Sequence, residues 1–265
     1  MKKIAWFSCG ITSAVACKLA ILNDSEVEPV YIEIDSAHPD NERFIADCEL
    51  WYGKKITRIR SEKYKDQFDV VVETKYVNGE DGARCTLELK KNVRKRYTMH
   101  QPTIQYFGFE FEINEINRAV RFTEQNPEIE TKYPLIDASL TKNQCAALLE
   151  QQGIELPAMY KLGYENNNCI GCVKGGIGYW NKIRKDFPEH FDKMANAERL
   201  VGATCLKEST GERIYLDELN PKRGQKVKGI APQCDLFCQI EFGHIISPKT
   251  LLILKGTKFD EAIAA

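Results

Sequence analysis

Two groups of residues in this 265-residue chain have types and spacings suited to chemistry. The first is Cys169-x-x-Cys172, set in a segment rich in asparagine and glycine. Two cysteines at that spacing in a loop bring two thiolates to one metal without strain. The same pair also serves as a redox couple, or stands as two unrelated thiols. Cys85 and Cys234-x-x-x-Cys238 add further thiols. The second group is Ser8-Cys9-Gly10-Ile11-Thr12-Ser13. Ser8, Thr12 and Ser13 offer hydroxyl donors, and Gly10 permits a positive φ or a close backbone approach. A helix starting there aims free N–H groups and its positive dipole end at the loop, which suits phosphate. A plain strand-to-helix turn with Ser13 as N-cap fits the same residues, and local chemistry leaves both readings open. Neither a Walker A loop nor a GxGxxG after a strand is present.

The elements that must position these residues alternate. Branched and aromatic runs predict strands over 4–7, 29–34, 55–59, 103–107 and 133–136. Helical patterns predict helices over 13–22, 41–52, 112–124, 141–152 and 179–200, the last interrupted near Pro188. Phe44, Ile45, Cys48 and Trp51 fall on one helical face, with Gly53 as the stop, and Thr141 with Gln144 forms a capping box. Such alternation predicts an α/β fold, a parallel five-stranded sheet with helices on both faces, whose ligands sit beyond the carboxyl ends of the strands. Residues 1–150 are the expected α/β nucleotide-binding domain and 151–265 a cysteine-bearing helical and irregular appendage, with no internal repeat or low-complexity tract.

Together these segments resemble a known family. Phe7 to Ala14 resembles the PP-loop of N-type ATP pyrophosphatases, usually written SGGxxS, with Cys9 where a glycine is usual. Val30 to Asp35 followed by His38-Pro39-Asp40 is similar to that family's second strand and acidic turn. Arg84-Cys85-Thr86 with Leu89-Lys90 is similar to its Cys-Thr-x-x-x-Lys segment. Asn167 to Gly176, followed by Tyr179-Trp180, resembles the branch related to phosphoadenosine phosphosulfate (PAPS) reductases.

The resemblance implies an adenine nucleotide alpha-hydrolase-like fold with ATP across the strand ends. Ser8, Gly10, Thr12 and Ser13 would bind its phosphates, with Asp35 near the nucleotide or its Mg²⁺. ATP would be cleaved between the α and β phosphates, leaving an adenylated acceptor ready for sulfur transfer. Iron–sulfur adenylyl-sulfate reductases carry a Cys-Cys pair ahead of a CxxC. Here the second position of that pair is Thr86. The resemblance therefore implies a [4Fe–4S] cluster on Cys85, Cys169, Cys172 and either Cys234 or Cys238, with Cys145 a further candidate. A zinc site using both close pairs is the alternative. Arg84 and Lys90, which flank Cys85, are candidate substrate or phosphate ligands. The rival enzyme reading is a reductase of PAPS or adenylyl sulfate. Those reductases carry a cysteine in a C-terminal Glu-Cys-Gly-Leu-His-like segment, and residues 251–265 contain none. A non-catalytic nucleotide- or nucleic-acid-binding module is the third reading.

Composition bounds the partners. Apolar residues make up 43% of the chain, enough for a core, and 37 basic residues meet 38 acidic ones, so no global attraction to nucleic acid is implied. Two local runs, 54–65 and 84–96, each set six bases against one acid, which suits a solvated helix face or a landing surface for phosphates. Tyr179, Trp180, Lys182, Arg184 and Lys185 mix aromatics with bases, as surfaces that stack on single strands do. Arg118 and Arg121 are possible nucleotide contacts. Expected partners are the adenine nucleotide, a sulfur donor or electron donor protein and, as one option for the acceptor, a nucleic acid. No membrane is expected, and the oligomeric state is left open. Ten cysteines without a secreted scaffold's density predict a reducing cytoplasm. A signal peptide over the first residues fits poorly, because Ser8, Gly10, Thr12 and Ser13 interrupt its apolar run. Cys17, Cys48 and Cys145 read as small hydrophobes on apolar helix faces. No pattern attaches to Cys205.

Overall fold

The computed structural model describes residues 1–79, 82–99, 101–208 and 210–224; Cys234 and Cys238 lie outside the described residues. Five parallel strands form one sheet: β1 (Lys2–Phe7), β2 (Glu28–Glu33), β3 (Thr57–Arg60), β4 (Thr103–Tyr106) and β5 (Glu130–Lys132), in the spatial order β3-β2-β1-β4-β5. Ile4 stands opposite Glu28 on one side and Gln105 on the other. The order turns back on itself between β1 and β4, so the crevice beyond their carboxyl ends is a topological switch point.

Alternation along β1 divides its side chains between the two faces. Ala5 and Phe7 enter the main core, built with α1 (Ile11–Asn23), α2 (Asn41–Tyr52) and, later in the chain, the capped helix Lys142–Gln151. Trp6 points to the other face. There its indole donates to Gln105 and meets Tyr97 edge-on, from the helical stretch over 84–98. Helices therefore cover both faces, as the alternating pattern implies. The stretch preceding the first helix is thus a central strand, and α1 is buried along most of its length.

A second apolar cluster adjoins the first. It joins α3 (Gln67–Thr74) to the helices Ile177–Asp186 and Pro188–Val201 and to the short antiparallel pair Leu206–Lys207 and Arg213–Ile214. The stretch over 84–98, called α4 here, comprises Arg84–Thr86, a π-helical Leu87–Lys91 and Asn92–Thr98.

One predicted strand is corrected. The fifth strand is Glu130–Lys132, and Pro134–Asp137 is a short helix. Pro134 sits in its first turn, where a missing N–H costs nothing, and Leu135 is buried. Among the described residues no helix is long and apolar enough to cross a membrane.

Candidate functional site

The loop 8–13 leaves β1 at the switch point and is held by its own hydroxyls. The Ser8 N–H and Ser8 Oγ both donate to Ser13 Oγ at 3.0 Å, and Ser13 Oγ donates to the Gly10 carbonyl at 2.9 Å. Gly10, not Ser13, is the N-cap of α1, and no side chain caps that end. The first-turn N–H groups therefore face the loop, as an anion requires.

The left-handed residue is Cys9, at φ 56°, whereas Gly10 is extended at φ −95°. The positive φ thus falls one position earlier than expected from Gly10, at the place where the resembling loops carry glycine. The Cys9 side chain is wholly buried in the main core beside Tyr31, away from the crevice, and burial raises its thiol pKa. A non-glycine residue in that region costs about 1–2 kcal/mol. Cys9→Gly relieves this but gives up buried side-chain packing worth about 1 kcal/mol. We expect urea unfolding to show Cys9→Gly within about 1 kcal/mol of the parent; a loss above about 3 kcal/mol would mean that packing dominates.

Beyond the strand ends lies a cavity of about 500 Å³. Ser8, Gly10, Thr12 and Ser13 line it, together with Lys90 and Cys169. Opposite the loop, Gly108 after β4 fits against α1. A Cβ there would lie 2.8 Å from Ser13 Cα and 2.9 Å from Ser13 N. Tyr160, also in the lining, places its hydroxyl 3.4 Å from the Ile11 N–H, and burial pushes its pKa up to about 12.

The cavity also holds cations that the sequence did not single out. Arg94 lies over the rings of Phe107 and Phe122 at 5.3 and 5.0 Å. Its buried Nε has no hydrogen-bond partner among the described residues, and burial lowers its pKa. Lys142 also lines the cavity and donates to the Glu165 carbonyl at 2.6 Å and to Asn166 at 2.7 Å. Arg118 belongs to the lining too, paired with Glu115 at 3.1 Å, whereas Arg121 is exposed outside it.

The thiol loop 167–176 is fastened to this cavity from several sides. Asn167 Nδ2 donates to the Cys9 carbonyl at 2.7 Å and to Asn41 Oδ1 at 2.8 Å. The Ile170 N–H donates to the Ser36 carbonyl at 2.8 Å, and Gln67 Nε2 donates to the Ile170 carbonyl at 2.8 Å. Gly171 makes the turn between the two cysteines at φ 77°. Tyr179 closes it: its hydroxyl accepts from the Cys172 N–H at 2.9 Å and donates to the Cys169 carbonyl at 3.3 Å. A Cβ at Gly175 would lie 1.9 Å from the Tyr179 ring.

Cys85, at the start of α4, lies within charge-interaction range of both Cys169 and Cys172. Burial pushes its thiol up to about 11. Cys205 packs with Cys85 against the second apolar cluster, although nothing in its sequence context drew attention to it. Among the described residues no group of three or more His, Cys, Asp or Glu side chains is placed to hold a metal ion. Cys145 is wholly buried in the main core.

Other candidates sit apart from the cavity lining. Asp35, at the end of β2, is half exposed and paired with Arg60. Arg84 pairs with Glu88 at 2.8 Å on the surface of α4. The aromatic and basic mixture over 179–185 is not a stacking surface. Trp180 is 0% exposed and Tyr179 is occupied by the thiol loop. Lys182 is paired with Asp186, and Arg184 donates to the Leu216 and Leu219 carbonyls. Half of that helix must pack, and its large rings go where burial stabilises them most.

No protein-family model and no curated protein matches the sequence. Among solved structures, the chain is similar to the phosphoadenylyl-sulfate (PAPS) reductase from Candida auris in its phosphate complex, with 12% identity and a TM-score of 0.47, over 62% of this chain and 79% of that chain.

Proposed function

We propose that this chain is a PP-loop-type ATP pyrophosphatase that adenylates an acceptor oxygen and supports sulfur transfer to the activated position. One placement carries the reading: Cys169 of the thiol group lines the same cavity as Ser8, Gly10, Thr12 and Ser13. A turn whose geometry suits an anion and one cysteine of the CxxC pair, far apart in sequence, line one crevice at the switch point of a parallel sheet.

In this reading the loop hydroxyls and the first-turn N–H groups of α1 hold the phosphates of ATP. The acceptor oxygen attacks the α-phosphorus, the α–β bond breaks, and pyrophosphate departs. Lys90 and Arg94, whose Nε has no hydrogen-bond partner among the described residues, offset the charge that develops on it. A sulfur nucleophile from a donor then attacks the adenylated position with its electron pair, and AMP leaves with the former acceptor oxygen. Mg²⁺ is expected with the nucleotide; Asp35, its candidate ligand, is engaged by Arg60, and we assign it no step. Cys85, Cys169 and Cys172 are the proposed seat of a [4Fe–4S] cluster, which supplies sulfur handling or single-electron transfer when bound. Tyr179 and Gln67 hold the loop that carries two of those thiols. Exposed Lys91 and Lys95 on α4 suit a nucleic-acid acceptor, whose binding would weaken as salt rises.

Anaerobically purified protein given ATP and Mg²⁺ is expected to release pyrophosphate. Ser13→Ala removes the hydroxyl on which the loop converges and should lower that release by about 100-fold or more while the chain stays folded. Sulfite formed from PAPS or adenylyl sulfate, with no pyrophosphate from ATP, would overturn the proposal in favour of the reductase.

A further inference from the structure

We propose that Glu110 is the general base of the adenylation step, and that the acceptor is therefore a neutral group that sheds a proton as its oxygen attacks, not a carboxylate. This rests on the pyrophosphatase reading above, whose steps assign no group to take that proton.

Glu110 sits on the wall of the crevice that abuts the phosphate loop. Gly108 fits against the first turn of α1, and Glu110 follows it by two residues, about 7 Å of chain at most. The Glu110 side chain lines the same cavity as Ser8, Gly10, Thr12 and Ser13. Two bonds pin its segment to the start of the capped helix Lys142–Gln151. The Phe111 N–H donates to the Leu140 carbonyl at 2.8 Å, and the Lys142 N–H donates to Glu110 Oε2. One carboxylate oxygen is thus fixed by backbone, while Oε1 has no hydrogen-bond partner among the described residues.

The other acids of the lining suit the role less well. Glu115, on the helix Ile113–Gln125, is paired with Arg118 at 3.1 Å, and Arg118 lies over the Phe109 ring at 5.0 Å. Glu165 is exposed. Glu110 is half-buried and has no ion pair among the described residues, because the Lys142 ammonium is turned to the Glu165 carbonyl and Asn166. A carboxylate so placed repels an anionic acceptor and accepts a proton from a neutral one.

The charged groups that face it are Glu112 and Glu115 from the segment that follows, Arg118 one turn on, and Lys142 from the capped helix. Tyr160, with the Lys142 ammonium 5.6 Å from its ring, completes that wall. Burial raises the Glu110 carboxyl above its usual range; Glu115 and Glu112 add to this, against the pull of the Lys142 N–H and ammonium. A carboxylate raised in this way takes a proton more readily near neutral pH.

The step needs no further reactant. The acceptor oxygen bonds to the α-phosphorus, the α–β P–O bond breaks with its electron pair on pyrophosphate, and the acceptor's proton passes to Glu110 Oε1. Water is itself such an acceptor, giving AMP and pyrophosphate, and serves as the probe.

The test follows pyrophosphate release from ATP, Mg²⁺ and water by the full chain between about pH 5 and 9. The parent's kcat is expected to rise with pH as Glu110 loses its proton and then to level off. Glu110→Gln keeps an oxygen for the Lys142 N–H. It should lower kcat by about 100-fold or more, flatten that rise and leave the KM for ATP near the parent's. Parental kcat in Glu110→Gln, or a slow variant that keeps the parent's rise with pH, overturns the base alone. A parent that releases no pyrophosphate overturns the pyrophosphatase reading and the base together. Methanol added to the parent should share the α-phosphorus with water and give the methyl ester of AMP; acetyl adenylate formed from acetate would overturn the acceptor class. A variant that fails to fold is recognised by far-UV circular dichroism. The parent's own profile then decides, and a kcat that does not change with pH overturns the assignment.

Discussion

Replacing Gly108 with alanine is expected to lower pyrophosphate release by about 100-fold or more, with nucleotide affinity falling in parallel. The added methyl would sit 2.8 Å from Ser13 Cα, 2.9 Å from Ser13 N and 3.0 Å from Thr12 C. All three are backbone atoms, so no rotamer change can make room. Either the strand-end loop 107–109 or the first turn of α1 must move. Both form walls of the crevice, and the first turn also presents the N–H groups to the phosphates. A shift of about 1 Å there is enough for a loss of that size. Overpacking should also cost about 1–3 kcal/mol of stability, which urea unfolding separates from the catalytic loss. A Gly108→Ala protein with parental pyrophosphate release and ATP affinity would show that the phosphates do not sit on this turn.

Gly175→Ala should strike the other half of the site. Its Cβ would lie 1.9 Å from Tyr179 Cδ1 and 2.5 Å from Cε1. The Tyr179 ring cannot swing aside freely, because it packs edge-on against Tyr164 and Trp180, each at 5.7 Å between centroids. If the ring moves, its hydroxyl leaves the Cys172 N–H and the Cys169 carbonyl, and the turn between the two thiols loses its closure. Groups that orient metal ligands are worth about 10–100-fold in metal affinity. We expect iron affinity to fall by about that factor, while ATP affinity stays near the parent's. Tyr179→Phe, which removes only the hydroxyl, should fall between the two. Unchanged iron content in Gly175→Ala would show that the thiol loop needs no such brace. An equal loss of ATP affinity would show that the clash spreads to the crevice.

Gly108 was invisible as such in the sequence, since its partner, the first turn of α1, comes from a distant segment, and Gly175 is required only by the way the Tyr179 ring, four residues on, turns back over the thiol loop. What was legible was local. The branched run of β1 and β2, the Phe44–Ile45–Cys48 face with its Gly53 stop, and the Thr141–Gln144 capping box all fall where the residues alone predict. The edge strand was misplaced for a physical reason. Glu130–Lys132 is polar and largely exposed, so it carries no apolar signature, while the apolar residues just after it turn into a helix that seats Leu135 in the core. Gly10 drew the expectation of a positive φ that Cys9 in fact carries, because a buried thiol can occupy a left-handed position when its surroundings over-determine it. Arg94 was lost within a run of bases, since only the fold shows which of them turns inward over Phe107 and Phe122. Cys205 had no spacing partner at all; the group that meets it is the Glu198 carboxylate of the preceding helix.

The Asn167 amide joins the Cys9 carbonyl and Asn41 in a single side chain. Dimensional control between the two halves of the crevice therefore does not accumulate error along the long stretch of chain that separates them. The reach from one half to the other is set by such short cross-ties, shared with the Ile170–Ser36 and Gln67–Ile170 contacts, and not by the path of the chain between.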